Sequence, residues 1–305
     1  MVVKKPMRIL VTGTEGQLAR SLLERAQGVN DLSVLALGRP DLDLTRPHAV
    51  AGALAGVDCD VIVNAAAYTA VDQAESEPDI AHLVNCDGAE AVAQAATRAN
   101  IPFIQISTDY VFNGQNDGAW SEDDSPDPLS VYGKTKLAGE MAVQAAAPKS
   151  AILRTAWVYS PFGKNFAKTM LRLAESRDEL SVVADQTGAP TSALDIADGV
   201  IAVARNLAAR PDDPALHGVF HMTATAGSSA PTWADFAEQI FSASRDLGGP
   251  SAQVRRITTA GYPTPAARPR NSLLDCTRLE QAHGVRLPFW EVPIANIVRR
   301  ILADS

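Results

Sequence analysis

The sequence predicts an α/β protein: a doubly wound parallel sheet with a smaller C-terminal lobe built from discontinuous pieces. Three observations carry that prediction. Short apolar, β-branched runs alternate with Ala/Leu-rich helical segments through the first half, and this alternation produces βαβ units with right-handed crossovers. A glycine-containing loop joins the first apolar run to the first helical segment. Beyond Tyr159 the rhythm loosens, and Pro161, Gly163, Gly188, Pro190, Pro211 and Pro214 punctuate shorter elements.

Taken in order, residues 8–12, 32–37, 61–64, 103–107 and 151–154 read as buried parallel strands, because each is a short run rich in Ile, Val and Leu. Residues 16–27, 47–54, 80–99 and 132–147 read as the intervening helices. Pro47 suits a helix first turn, with Thr45 as the expected cap. The expected division is a nucleotide-binding domain over 1–160, to which the chain returns around 192–220. A smaller lobe is expected from 161–191 and 221–305, including the proline-stiffened loop 260–269.

Composition bounds the function. The 305 residues are 46% hydrophobic and 20% charged, which excludes a disordered or collagenous chain. Net charge is −8, from 27 basic and 35 acidic residues, so no global basic field for nucleic acid exists. Cys59, Cys86 and Cys276 are scattered without CxxC spacing, which argues against zinc and against a disulfide framework and fits a reducing cytoplasm. His48, His82, His217, His221 and His283 show no ligand spacing, so no metal is expected. The basic start precedes an apolar run too short for a signal peptide, and no stretch of about 18 apolar residues is present to span a membrane.

The loop after the first strand, residues 12–19, places Gly13 at a tight turn, Gly16 where backbone approaches a pyrophosphate, and Ala19 where helix meets strand. Phosphates would then sit on the helix N–H groups beside Gln17 and Leu18. This pattern predicts a Rossmann-type dinucleotide site. Arg39 ends the second strand where an acidic residue would select NAD, which favours NADPH, with NADH an alternative; Glu15 adds opposing charge. Asp43 and Leu44 are placed to bracket the adenine, or Asp43 to shape the turn. The third strand runs into Ala65, Ala66, Ala67, Tyr68 and Thr69, small residues that leave room for a flat cofactor.

Tyr132 and Lys136 lie four apart on one helix face, and Thr108 ends the fourth strand at the same sheet edge. A phenol ordinarily titrates near pH ~10, so a neighbouring cation is expected to favour its phenolate. Lys136 is placed to supply that charge and to hold the nicotinamide ribose, Thr108 to bond the carbonyl being reduced, and Tyr132 to deliver the proton.

Together with the stretches 61–78, 107–112, 131–140, 154–159, 165–170, 185–191 and 262–272, these motifs resemble the dTDP-4-dehydrorhamnose reductase family of extended short-chain dehydrogenases/reductases. The resemblance implies NADPH- or NADH-dependent reduction of the 4-keto group of dTDP-4-dehydro-β-L-rhamnose, giving dTDP-L-rhamnose for cell-surface polysaccharide. It carries Tyr132, Lys136 and Thr108 over as catalytic residues. Gly13, Gly16, Gln17, Leu18, Asp43, Leu44, Ala67, Tyr68 and Thr69 carry over as cofactor contacts, and Thr108, Asp109 and Trp157 as contacts to the deoxysugar. Arg268, on the stiffened loop, is the expected partner of the pyrophosphate. Some members of the family pair through magnesium held by acidic side chains. The matching position here is Ser21, with Glu24 one turn on, so a monomer or weak homodimer is expected. The competing readings are a non-enzymatic NADP-binding subunit, like the methionine adenosyltransferase β subunit, and a sugar-nucleotide epimerase or dehydratase.

Overall fold

The structure is a computed structural model and describes residues 5–304; the basic start from Met1 to Lys4 and Ser305 lie outside them. Strand β1 (Met7–Thr12) leads through the glycine loop into α1 (Gln17–Ala26), and β2 (Leu32–Leu37) into α2 (Pro47–Leu54). Then follow β3 (Val61–Asn64), two short helices α3 (Val71–Ala74) and α4 (Pro78–His82), and α5 (Ala89–Arg98). Next come β4 (Phe103–Thr108), α6 (Val131–Ala146) and β5 (Ser150–Thr155). Short β6 (Val158–Tyr159), α7 (Phe166–Ala174), β7 (Glu179–Val183) and β8 (Thr191–Ser192) lead to α8 (Ala193–Ala209) and β9 (Gly218–His221). The chain closes with α9 (Trp233–Asp246), β10 (Gln253–Ile257), α10 (Thr277–His283) and α11 (Ile294–Ala303).

Among the described residues the main sheet is parallel throughout, in the order β2-β1-β3-β4-β5-β9. Strands β2 and β3 flank β1, so the chain reverses direction across the sheet there, and a crevice opens at the carboxyl ends. One face is filled by Leu18 and Leu22 of α1 and by Ile196, Val200 and Val203 of α8. The other face is filled by Val50, Val92, Ala93 and Val143. Strands with apolar residues on both faces need such double cover. A separate core joins α7, α9, α11 and the parallel β7/β10 pair through Phe236, Phe241, Trp290 and Ile297.

Two local expectations change. Thr45 does not cap α2: its hydroxyl donates to Asp43 Oδ1 at 2.8 Å, and the helix starts without a side-chain cap. The helix expected over 80–99 is interrupted by a π-turn, Leu83–Gly88. That turn directs Asn85 inward, where Oδ1 accepts from Tyr68 N at 2.8 Å and Nδ2 donates to Thr135 Oγ1 at 3.1 Å. Helix α6 packs so closely here that a Cβ on Gly139 would meet the Asn85 carbonyl at 2.0 Å, and one on Gly133 the Tyr110 carbonyl at 2.2 Å. Those contacts fix the height of Tyr132 and Lys136 against β4.

Candidate active site

The cofactor side is built from backbone. Gly13 turns with φ +88°, and α1 opens at Gly16 with no side-chain cap and no acidic residue in its first turn. The first N–H groups of such a helix have no internal partner and lie at the positive end of its dipole. Thr12 Oγ1 donates to Asn64 Oδ1 at 2.5 Å and accepts from Ala65 N and Ala66 N at 3.1 and 3.0 Å, which holds the alanine segment beside the glycine loop. Ala65, Ala66, Ala67 and Tyr68 are half-buried and Thr69 is exposed. An uncapped helix end beside small residues is a cradle that fits a dinucleotide pyrophosphate.

The remaining expected contacts divide. Arg39 is exposed at the end of β2. Asp43 Oδ1 accepts from Thr45 N at 3.0 Å as well as from its hydroxyl, so the side chain shapes the turn; these bonds hold its carboxyl below the usual range. Leu44 is buried in the core under α5. Leu18 is buried as well, and Gln17 turns its amide toward the segment 158–165 that follows β5: Oε1 accepts from Ser160 and Asn165, and Nε2 donates to the Val158 carbonyl. Backbone, rather than side chain, is what these two offer a phosphate.

Across the cleft, Thr108 Oγ1 accepts from Tyr110 N at 3.2 Å and donates to Asp109 Oδ1 at 3.0 Å. The Tyr132 phenol lies close enough to the Thr108 hydroxyl to be acted on by it, so phenol, hydroxyl and carboxylate form one cluster. Burial pushes the Tyr132 phenol up to about 12, with the nearby Thr108 hydroxyl pulling the other way. This corrects the expectation that Lys136 stabilises its phenolate in the unliganded site. Lys136 Nζ instead donates to the Ile106 carbonyl at 2.7 Å, and burial lowers its pKa to about 8 against the opposing charge of Glu140. The phenol therefore stays protonated at neutral pH, the state a proton donor needs.

Asp109 is 2% exposed, and burial pushes it up to about 6 while the Ser272 and Thr108 hydroxyls nearby pull it down. Its Oδ2 has no hydrogen-bond partner. An orphaned buried acceptor beside the Thr108/Tyr132 pair suits a substrate hydroxyl. Trp157 takes φ +49°, a left-handed conformation that a bulky side chain adopts only under constraint, and stacks on Trp233 with ring centroids 3.7 Å apart. Arg268 does not stand free: its Nη2 donates to Asp72 Oδ2 at 2.8 Å and its Nη1 to Oδ1 at 3.1 Å. Ala266 N also donates to Asp72, so the stiffened loop is fastened to α3, just beyond the alanine segment.

Sequence reading missed three supporting groups. Glu140 continues the Tyr132/Lys136 face by four residues, and its carboxylate takes Arg154 Nη2 at 2.7 Å and Ser107 Oγ at 2.5 Å. An Arg in an otherwise apolar strand was the available signal. Asn85 and Asp72 gave none, because their partners are remote in sequence.

A parallel six-stranded sheet with a glycine-loop cradle at one strand end and a Thr/Tyr/Lys cluster at another defines a nucleotide-dependent reductase of the short-chain dehydrogenase/reductase class. The RmlD substrate binding domain family model matches residues 7–303. A dTDP-4-dehydrorhamnose reductase of Sinorhizobium fredii is 47% identical over 299 residues, 98% of this chain and 99% of that protein. The crystal structure of a dTDP-4-dehydrorhamnose reductase from Clostridium acetobutylicum is 38% identical, covering 98% of this chain and 100% of that one with TM-score 0.87. One from Bacillus anthracis, in complex with NADP, is 32% identical with TM-score 0.85 over 98% and 100% of the two chains. The chain belongs to the dTDP-4-dehydrorhamnose reductase family.

Proposed function

We propose that this protein reduces the 4-keto group of dTDP-4-dehydro-β-L-rhamnose with NADPH, giving dTDP-L-rhamnose. The observation that carries the reading is the Tyr132–Thr108–Asp109 cluster at the carboxyl end of β4, with a protonated phenol and an unpartnered carboxylate oxygen, in the same parallel sheet whose β1 leads into the α1 cradle. Its relatives carry the dTDP-4-dehydrorhamnose reductase name, and one is solved with NADP.

The pyrophosphate would lie on the backbone of Gly13, Gly16, Gln17 and Leu18, with Arg39 toward a 2′-phosphate and Asp43 and Leu44 beside the adenine. Ala66, Ala67, Tyr68 and Thr69 would line the path to the nicotinamide, which when bound supplies a hydride to C4. Thr108, turning its one hydroxyl proton from Asp109 Oδ1 to the keto oxygen, polarises the carbonyl. Tyr132 gives its proton to that oxygen as charge develops there, and regains one from solvent afterwards. Lys136, charged below about pH 8, lies one helical turn from the phenolate left behind. Once released from the Ile106 carbonyl, Lys136 would also hold the nicotinamide ribose. Asp109 Oδ2 accepts from a sugar hydroxyl, and Trp157 walls the ring. We assign the sugar nucleotide to the lobe formed by 161–191 and 221–305, with Arg268 near its pyrophosphate.

Among the described residues no helix is long and apolar enough to cross a membrane. On α1, Ser21 Oγ donates to the Gln17 carbonyl and Glu24 pairs bidentately with Arg300, so neither offers a free ligand for pairing through magnesium. The test is NADPH oxidation by the purified protein. One NADPH consumed per keto sugar nucleotide supports the reading. Binding without consumption points to a regulatory subunit, and sugar conversion without net consumption to an epimerase or dehydratase.

A further inference from the structure

The π-turn brings together three chemically distinct metal-binding groups that the reductase reaction does not use, running from the exposed His82 to the buried Cys86. His82 offers Nε2, Cys86 Sγ and Asp87 a carboxylate oxygen, and these atoms all lie within 4.8 Å of one another. The convergence comes from the backbone. In an α-helix, residues five apart are turned well away from each other, whereas the wider π register returns i+4 and i+5 to the same side as i. The π-turn Leu83–Gly88 begins directly after His82, and His82 Nε2 lies 3.5 Å from Asp87 Oδ1. Asp87 is also close enough to Cys86 to act on its thiol, after burial the main influence on it. All three groups thus already converge on one point, where a cation would replace their protons.

We propose that His82, Cys86 and Asp87 form a binding site for a borderline-soft divalent cation of the zinc type, with a water as fourth ligand. Imidazole, thiolate and carboxylate are the donor set zinc takes, at about 2.0–2.3 Å each. Tetrahedral geometry at those lengths places ligand atoms about 3.3–3.8 Å apart, so the trio contracts slightly on binding. His82 is exposed and its side chain has the freedom to close that gap; Cys86 and Asp87 are held by the turn. The site is structural rather than catalytic. It clasps the turn whose inner residue, Asn85, holds the backbone of Tyr68 and the side chain of Thr135. A cation that binds the folded turn stabilises the native state by mass action.

Cobalt reports on this directly. The full-length protein, stripped with EDTA and dialysed, is titrated with Co²⁺ and followed by absorption. The expected result is a thiolate-to-cobalt charge-transfer band saturating at one equivalent, with four-coordinate ligand-field bands, all displaced by Zn²⁺. Cys86→Ser removes the charge-transfer band, His82→Gln and Asp87→Asn weaken Co²⁺ binding at least tenfold, and zinc raises the melting temperature of the parent only. His82→Gln changes an exposed side chain, so it stays informative should Cys86→Ser fold poorly. No charge-transfer band in the parent protein overturns the proposal. So does a band that persists in Cys86→Ser, which would place the ion on Cys59 or Cys276, and so does unchanged affinity in His82→Gln.

Discussion

Replacing Glu140 by Met removes the anion of a buried pair at the foot of the catalytic helix. The side chains of Arg154 and Glu140 are 4% and 3% exposed. Three N···O contacts of 2.7, 3.0 and 3.2 Å join them, and Ser107 donates a fourth bond at 2.5 Å. Without the carboxylate, the guanidinium stays buried with only the Phe112 ring face, 5.0 Å away, as compensation. Stranding one partner of such a pair costs about 3–5 kcal/mol, and the unpaired Ser107 hydroxyl adds about 1 kcal/mol. For a chain of this size that lowers the melting temperature on the order of 5–15 °C. Arg154→Met strands the carboxylate and costs about as much. The double variant should recover most of the loss, because an apolar pair of similar volume is neutral or better there. Urea unfolding followed by circular dichroism should give a coupling of at least about 2 kcal/mol. Single substitutions costing under about 1 kcal/mol, or a double variant whose losses add, would refute the reasoning.

Three further outcomes follow from the site. Asp109, raised to about 6 by burial, holds its proton more tightly folded than unfolded, so its contribution is fully present below about pH 4 and is lost as pH rises through 6. Asp109→Asn should therefore be more stable than the parent at pH 8, by roughly 1–3 kcal/mol, and equal to it at pH 3.5, while losing turnover; a variant less stable at pH 8 contradicts this. Arg39→Ala should reduce the NADPH-over-NADH ratio of kcat/KM about ten- to a hundred-fold, the worth of a charge-assisted contact to a 2′-phosphate, and an unchanged ratio would make Arg39 a surface residue. EDTA should leave initial rates unchanged, since Thr108 and Tyr132 polarise the carbonyl and Arg300 occupies Glu24; a large fall on chelation would show the opposite.

The sheet and its helices were legible because their signals are local. Ile9 to Val11 and Val61 to Val63 are apolar on both faces, and Gly13 and Gly16 sit at the turn between strand and helix. The Tyr132/Lys136 pair was legible from helical spacing, and Thr108 from its place at a strand end. What escaped depends on contacts remote in sequence. The π-turn is required by Gly139 of α6 lying against Asn85, some fifty residues away. The Asp72–Arg268 latch spans 196 residues. The resting partner of Lys136 escaped for the same reason: it meets the Ile106 carbonyl, and that contact is invisible to a spacing argument.

The central claim is that the Tyr132 phenol delivers the proton to the reduced carbonyl. Tyr132→Phe removes only that hydroxyl, and the test is steady-state NADPH oxidation with the 4-keto sugar nucleotide, together with NADPH binding by fluorescence. The expected result is a fall in kcat on the order of 10²-fold or more, with NADPH affinity within about twofold of the parent. A Phe variant that keeps near-normal kcat at neutral pH would contradict it.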